Sequence, residues 1–287
     1  MRSLSLIGLF SPALVFASSE GVKQSATDLF NIGGLPISNS ILTTWIIAAL
    51  IIVGVRLAVG TPKLIPGKGQ GVVEGMAQGL RDALEPIVGK KMIGKTFPLL
   101  CGFFIFILLM NWSGLLPGVG TIKFHTAAGW QDAIRPANSD LNTTLALSVL
   151  SFVAWTYFVL RYAGFKVLVF DLFGNKSNKK EVGMVMWVLL IPIFFAVGGI
   201  EVVSITFRLL SLSFRLFGNV FGGENLIHAL SDPSTLGVAS TYVVPALAGM
   251  LEVLVGVIQA FVFTLLSAVY IGLICNHEGG HDDEHAH

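Results

Sequence analysis

Two arginines stand inside a run of residues otherwise suited only to hydrocarbon. Residues 201–225 read EVVSITFRLLSLSFRLFGNVFGGEN, and within them Glu201, Ser204, Arg208, Ser211, Arg215 and Asn219 are spaced 3, 4, 3, 4 and 4 apart. On a helix those six residues form one polar stripe, and the other faces are Val, Ile, Phe and Leu. A charge at the centre of a bilayer costs about 2.5–3.5 kcal/mol on insertion scales, so each arginine needs a partner or a water path. A guanidinium keeps its proton, so it cannot relay one, but it can attract a carboxylate and force it to ionise. The chemistry open to this stretch is therefore electrostatic control of a path through the membrane. Glu224 follows Arg215 by nine residues, which is about half a turn round a helix and ~13 Å further along its axis. The two charges face opposite ways at different depths.

The elements that carry these residues follow from composition. Of 287 residues, 54% are hydrophobic and only 12% charged, against about 25% charged in ordinary soluble domains. The fold class this implies is an all-α integral membrane protein. The net charge of +1 gives no basis for nucleic-acid binding. Cys101 and Cys275 sit far apart in apolar runs, which makes neither a disulfide framework nor a metal-ligand spacing.

Residues 1–17 read as a signal-like segment, with one positive charge, a short apolar region and Ala17 at the cleavage point; an uncleaved interfacial helix is the alternative, because Pro12 interrupts the run. Residues 18–39 are a polar outer segment, 40–275 a single membrane domain, and 276–287 a solvated cytoplasmic tail rich in His and acids, for which no metal role is expected. Within the membrane domain the expected spans are about 41–59, 97–116, 141–160, 182–230 and 238–274. Between the first two, Val72, Val73, Met76, Leu80, Leu84 and Ile87 fall at helical spacing opposite Glu74, Gln78, Arg81, Asp82 and Glu85, which predicts a surface-lying amphipathic helix. Gly89 to Thr96 spells the phosphate-binding pattern G-x-x-x-x-G-K-T, but no buried strand precedes it and a bilayer-length apolar run follows, so no direct nucleotide binding is expected. Residues 182–230 are too long for one upright span: they form two spans, with Gly198-Gly199 as hinge and Pro192 as kink, or one steeply tilted helix.

Several of these residues carry a resemblance. Ser213-Phe214-Arg215-Leu216-Phe217-Gly218-Asn219 followed by Gly223-Glu224 resembles the signature of subunit a, the stator subunit in the membrane sector of bacterial F-type ATP synthases. Met110-Asn111-Trp112-Ser113-Gly114-Leu115-Leu116-Pro117 is similar to that family's asparagine-containing span end, with Gly114 where some members carry an acid. Asp140-Leu141-Asn142-Thr143-Thr144 is similar to its acidic span entry, and Glu252, Gln259 and Tyr270 match its final helix, with Glu252 where some members have histidine. The resemblance implies that Arg215 is the essential arginine facing the carboxylates of a rotating c-ring, and that Gln259 lies near it. It also implies one long tilted helix paired with the last as a hairpin, about five membrane-crossing helices plus a cytoplasmic-face amphipathic helix, and b-type peripheral-stalk partners. No catalytic site lies in this chain alone; it would be one subunit of a proton-translocating ATP synthase, without a cofactor.

The residues themselves suggest two offset half-paths that meet near Arg215. Glu201, Ser204, Arg208 and Ser211 approach from the cytoplasmic end, while Glu224 and Glu252 form an ionisable cluster nearer the outside. The resemblance adds Asn219, Gln259, Asp140 and Asn142 to the path, although Asp140 reads equally as a helix N-cap. No second chain of carboxylates completes a through-pore, so a moving carboxylate must come from a partner. The alternative is a secondary transporter or channel with Arg215 as substrate counter-ion, against which stands the absence of a repeat among the spans. Arg56 to Lys95 holds seven basic residues and Arg161 to Lys180 five, against Lys123 and Arg135 between them. The positive-inside rule then places the N-terminus outside and the C-terminus in the cytoplasm of a multi-pass inner-membrane protein. In a variant lacking Cys101 and Cys275, cysteine at Thr121 should be labelled by an impermeant maleimide added outside intact cells, and cysteine at Asn178 should not. The reverse labelling would invert the topology.

Overall fold

The computed structural model describes residues 26, 28–32, 35–116, 123–126, 129–132, 135–165, 184–230 and 240–275. The signal-like residues 1–17, the lysine-bearing loop 166–180 and the tail 276–287 lie outside them. Six helices carry the fold: α1 (Asn39–Val59), α2 (Lys68–Val88), α3 (Lys90–Trp112), α4 (Leu141–Phe158), α5 (Met184–Leu230) and α6 (Ser240–Cys275). Five of them are long and apolar enough to cross a membrane, all but α2. In hydrocarbon a chain must satisfy its own backbone N–H and C=O groups, and helices do this within one segment.

Two short hairpins stand outside the expected spans, β1 (Asp28–Ile32) with β2 (Leu35–Ser38) and β3 (Lys123–Thr126) with β4 (Gly129–Asp132), both antiparallel. Ile32 pairs with Leu35, and the letters between them in the sequence, Gly-Gly, are a two-residue turn signal that composition alone passes over. Two further boundaries differ from the apolar runs. The second span's helix begins at Lys90 rather than Phe97, so the Gly89–Thr96 letters lie on the first turns of α3 and form no phosphate loop. Along 182–230 the helix runs unbroken from Met184 to Leu230, through Pro192 and Gly198-Gly199.

The interior is a set of helix seams. Leu80, Leu84 and Val88 of α2 pack with Met92, Ile93 and Leu100 of α3 and with Ala268 and Ile271 of α6. Beside them Phe103 and Ile107 of α3 meet Leu212 and Leu216 of α5 and Ala260 and Phe263 of α6. Phe103 and Phe263 touch edge to face, with ring centroids 5.6 Å apart. The outer faces are apolar as well: Leu57 is 79% exposed on α1 and Met250 72% on α6, a surface suited to lipid. The amphipathic reading of α2 holds: Leu80, Leu84 and Val88 are buried against the bundle, while Val72 and Met76 near its start present apolar surface outward.

Glycine sets two junctions. Gly89 is the single residue between α2 and α3, at φ +88, and its N–H donates to the Glu85 carbonyl; only glycine takes that backbone conformation without strain. Gly272 lets α6 lie against the end of α2, since a Cβ there would stand 2.5 Å from the Ile87 carbonyl oxygen. Gly272→Ala should cost about 1–3 kcal/mol of stability through overpacking, read as a lower midpoint of thermal unfolding in detergent. Gly249→Ala, whose Cβ would sit at ordinary contact from Leu115, should leave the midpoint unchanged, and equal midpoints for the two variants would refute the close approach.

Candidate functional site

Helices α5 and α6 run antiparallel, and the site residues lie along them. Leu212, Ser213, Leu216 and Val220 form the buried face of α5, with Ser213 Oγ donating to Thr144 Oγ1 of α4 at 3.1 Å. Ser211, Phe214, Arg215, Gly218, Asn219 and Gly222 lie on its exposed side. Arg215 makes no hydrogen bond or ion pair among the described residues, whereas the other charged positions of α5 that sequence reasoning singled out are compensated within the chain. Asn219 Nδ2 donates to Gln259 Oε1 at 3.0 Å, one turn beyond Arg215, and the buried Nε2 of Gln259 has no acceptor among the described residues.

Toward the N-terminal end of the stripe, Arg208 Nη2 lies 3.5 Å from Glu201 Oε1, with side chains 40% and 46% exposed. The Arg208 guanidinium also sits 5.0 Å from the ring centroid of Tyr270 on α6, within cation–π range. Ser204 is half-buried beside this pair. At this same end of the molecule, Lys95 lies over the ring of Tyr162 at 4.2 Å.

The opposite end is denser. Glu224 Oε2 lies 3.8 Å from Arg135 Nε, and Arg135 is only 6% exposed. Arg135 Nη2 donates to the Ser139 carbonyl at 3.5 Å. A Cβ on Gly223 would stand 2.9 Å from Glu252 Oε1, so the glycine lets the Glu252 carboxylate rest against the backbone of α5. The Glu252 carboxylate thus lies beside the residue that precedes Glu224 on α5. Asn138 Nδ2 donates to Asn111 Oδ1 at 2.8 Å, and Asn111 Nδ2 donates to the Gly256 carbonyl at 3.2 Å, one turn from Glu252. Trp112 Nε1 reaches the Val253 carbonyl at 3.2 Å. Asp140 caps α4, accepting from the Asn142 N–H at 3.0 Å, and its second oxygen accepts from Ser40 Oγ at 2.9 Å. The side chain of Asn142 is itself exposed.

Of the residues singled out from sequence, the fold joins Glu201 with Arg208, Asn219 with Gln259, and Glu224 with Glu252. Arg215 touches none of these pairs. Arg135, read from sequence as an outer-loop charge, is instead buried in the bundle. Asn111, known there only as part of a motif, is a link between two segments, while Asn138 and Ser40 carried no signal at all.

A model of the family described as ATP synthase A chain matches residues 41–272, from α1 almost to the end of α6. The chain belongs to that family. Curated ATP synthase A chain relatives agree over most of their length. The ATP synthase subunit a of Moorella thermoacetica is 31% identical over 85% of this chain and 94% of its own. That of Desulfotalea psychrophila is 32% identical over 82% and 83%, and ATP synthase subunit a 2 of a Bradyrhizobium species 29% over 86% and 93%. The region matched to the ATP synthase A chain model contains every candidate residue named above.

A double-mutant cycle tests the α5–α6 amide bond. Asn219→Ala and Gln259→Ala, alone and together, should give a coupling of roughly 0.6 kcal/mol in thermal unfolding, the average for hydrogen bonds between membrane helices. Strictly additive effects would mean that the two amides do not meet.

Proposed function

We propose that this chain is the stationary proton-channel subunit of an ATP synthase in the inner membrane, with Arg215 as its essential arginine. The observation that carries this reading is the exposure of Arg215 on an otherwise apolar membrane helix with no ion pair among the described residues. A permanently charged group in such a place calls for a carboxylate from outside the chain, and the family resemblance supplies one on the c-ring. Gly218 and Gly222 leave open space on the same face, so a partner helix can approach the backbone closely.

In this reading a ring carboxylate passing Arg215 is held deprotonated, because an opposite charge within ~4–6 Å lowers a carboxyl pKa by 1–3 units. The permanent guanidinium also stops a protonated carboxyl from slipping directly between the half-paths. Protons from outside reach the ring by way of Asp140, Asn142, Glu224, Glu252 and then Asn219 and Gln259. On the cytoplasmic side Glu201, Ser204, Arg208 and Ser211 line the exit. The N-terminus is outside, the C-terminus is cytoplasmic, and b-type stalk subunits hold the chain still. A transporter with Arg215 as counter-ion would purify alone, whereas this chain should copurify with ring and stalk subunits.

ATP-driven proton uptake into inverted membrane vesicles measures the roles of the two arginines. Arg215→Ala should abolish coupled uptake in an assembled complex. Arg215→Lys should fail too, because a desolvated ammonium can lose its proton and lacks the planar fork of donors. Arg208→Ala should lose only part of the rate, since Arg208 is already paired with Glu201. Near-normal uptake by Arg215→Ala with the complex assembled would remove Arg215 from the mechanism.

A further inference from the structure

Arg135 is the least expected charge in the bundle. It belongs to no membrane span, yet the chain between the second hairpin and α4 turns inward and leaves its side chain 6% exposed against Glu224. The turn is held from several sides. Arg135 itself donates to the Ser139 carbonyl, Asn138 donates to Asn111, and Asn111 donates to the Gly256 carbonyl one turn from Glu252. Gly114 allows the approach, because a Cβ there would stand 2.9 Å from Pro136 Cγ. A buried ion pair is poor evidence of a stabilising role, since apolar replacements of such pairs are often neutral or better. A permanent cation paired with Glu224, with the Glu252 carboxylate of α6 lying at the adjacent residue Gly223, therefore calls for a functional account.

We propose that Arg135 is a positioning residue for proton hand-over at the outer carboxylate pair: its fixed charge makes the Arg135–Glu224–Glu252 cluster neutral when the two carboxylates share one proton. This rests on reading Glu224 and Glu252 as outer proton carriers. With Arg135 present, gain and loss of that proton switch the cluster between neutral and one negative charge. Without it, the same step runs between one and two negative charges at a site sheltered from water, which opposes release of the proton. Among the groups facing Glu224 are Arg135 from the inward turn and, at the adjacent residue Gly223, Glu252 from α6, while both oxygens of Asp140 are engaged by Ser40 and the Asn142 N–H. The step is a proton transfer alone: an O–H bond of protonated water on the outer side breaks as one forms on a carboxylate of the pair, and that bond breaks in turn as the proton passes to the ring carboxylate.

The test is ATP-driven proton uptake by inverted vesicles carrying the whole complex, measured across pH, with assembly checked by copurification. Arg135→Gln should slow uptake at neutral pH roughly tenfold or more, the factor that one pKa unit represents, and move the pH profile to higher pH. Arg135→Lys should restore most of the rate and the original profile. Wild-type rate and profile in Arg135→Gln would overturn the proposal. So would a loss with an unmoved profile that lysine fails to restore, which is the mark of a packing role. Should Arg135→Gln fail to assemble, the neutral pair Arg135→Gln/Glu224→Gln decides: it leaves Glu252 switching between neutral and one negative charge, so a pH profile at the wild-type position supports the proposal and one displaced to higher pH overturns it. Arg215→Ala in the same vesicles separates the two levels. If it pumps, the reading of the chain as a channel subunit fails; if it is inactive while Arg135→Gln is normal, only the role of Arg135 falls.

Discussion

A guanidinium facing hydrocarbon has no solvent to hold it, and the arrangement of α5 and its neighbours turns on how each such charge is met. Arg208 is met by Glu201 and the face of Tyr270, and Glu224 by Arg135. Arg215 has no counterpart among the described residues, and it stands on the exposed side of the helix with Phe214 beside it. The fold thus completes its electrostatics at both ends of the stripe and leaves it open between them. That asymmetry separates a residue serving the chain's own packing from one directed at a partner.

The remaining polar groups hold the helices in register. Lipid tails are as apolar as Leu or Phe, so apolar burial does little to join helices, and hydroxyls, amides and close backbone approaches take its place. Ser151 and Ser267 meet at 2.8 Å between α4 and α6, and Trp155 donates to the Tyr270 carbonyl at 3.0 Å on the same seam. These bonds tie α4 to the helix that carries Glu252 and Gln259. Two carboxylates on separate helices can exchange a proton only if those helices do not slide.

The long apolar runs made five of the six helices legible, because a bilayer imposes a length and a composition that nothing else in the chain satisfies, and amphipathic spacing made α2 legible. The polar stripe was legible for the same reason: at spacings of three and four, Glu201 through Asn219 must share a face. Arg135 was not, since a basic residue in a polar stretch looks like any loop charge, and its burial depends on a turn that folds back between α3 and α5. Asn138 was hidden likewise, because its partner Asn111 is 27 residues away and no periodicity relates them. The hairpin β1–β2 carried a readable signal in Gly33-Gly34, but four- and five-residue strands are too short for alternation to stand out beside the helical runs.

The junction at Gly89 bears on how this chain can vary in length. With one residue between α2 and α3, the rotational phase of one helix is geared to that of the other, and no slack exists to absorb an insertion. A single added residue would turn α3 by about 100°. Phe103, Ile107 and Asn111 would swing away from α5 and α6 together, and the seam and the polar link would be lost in one step. Length can drift in the segments that connect the other helices, but at this elbow the reading frame of the fold is locked.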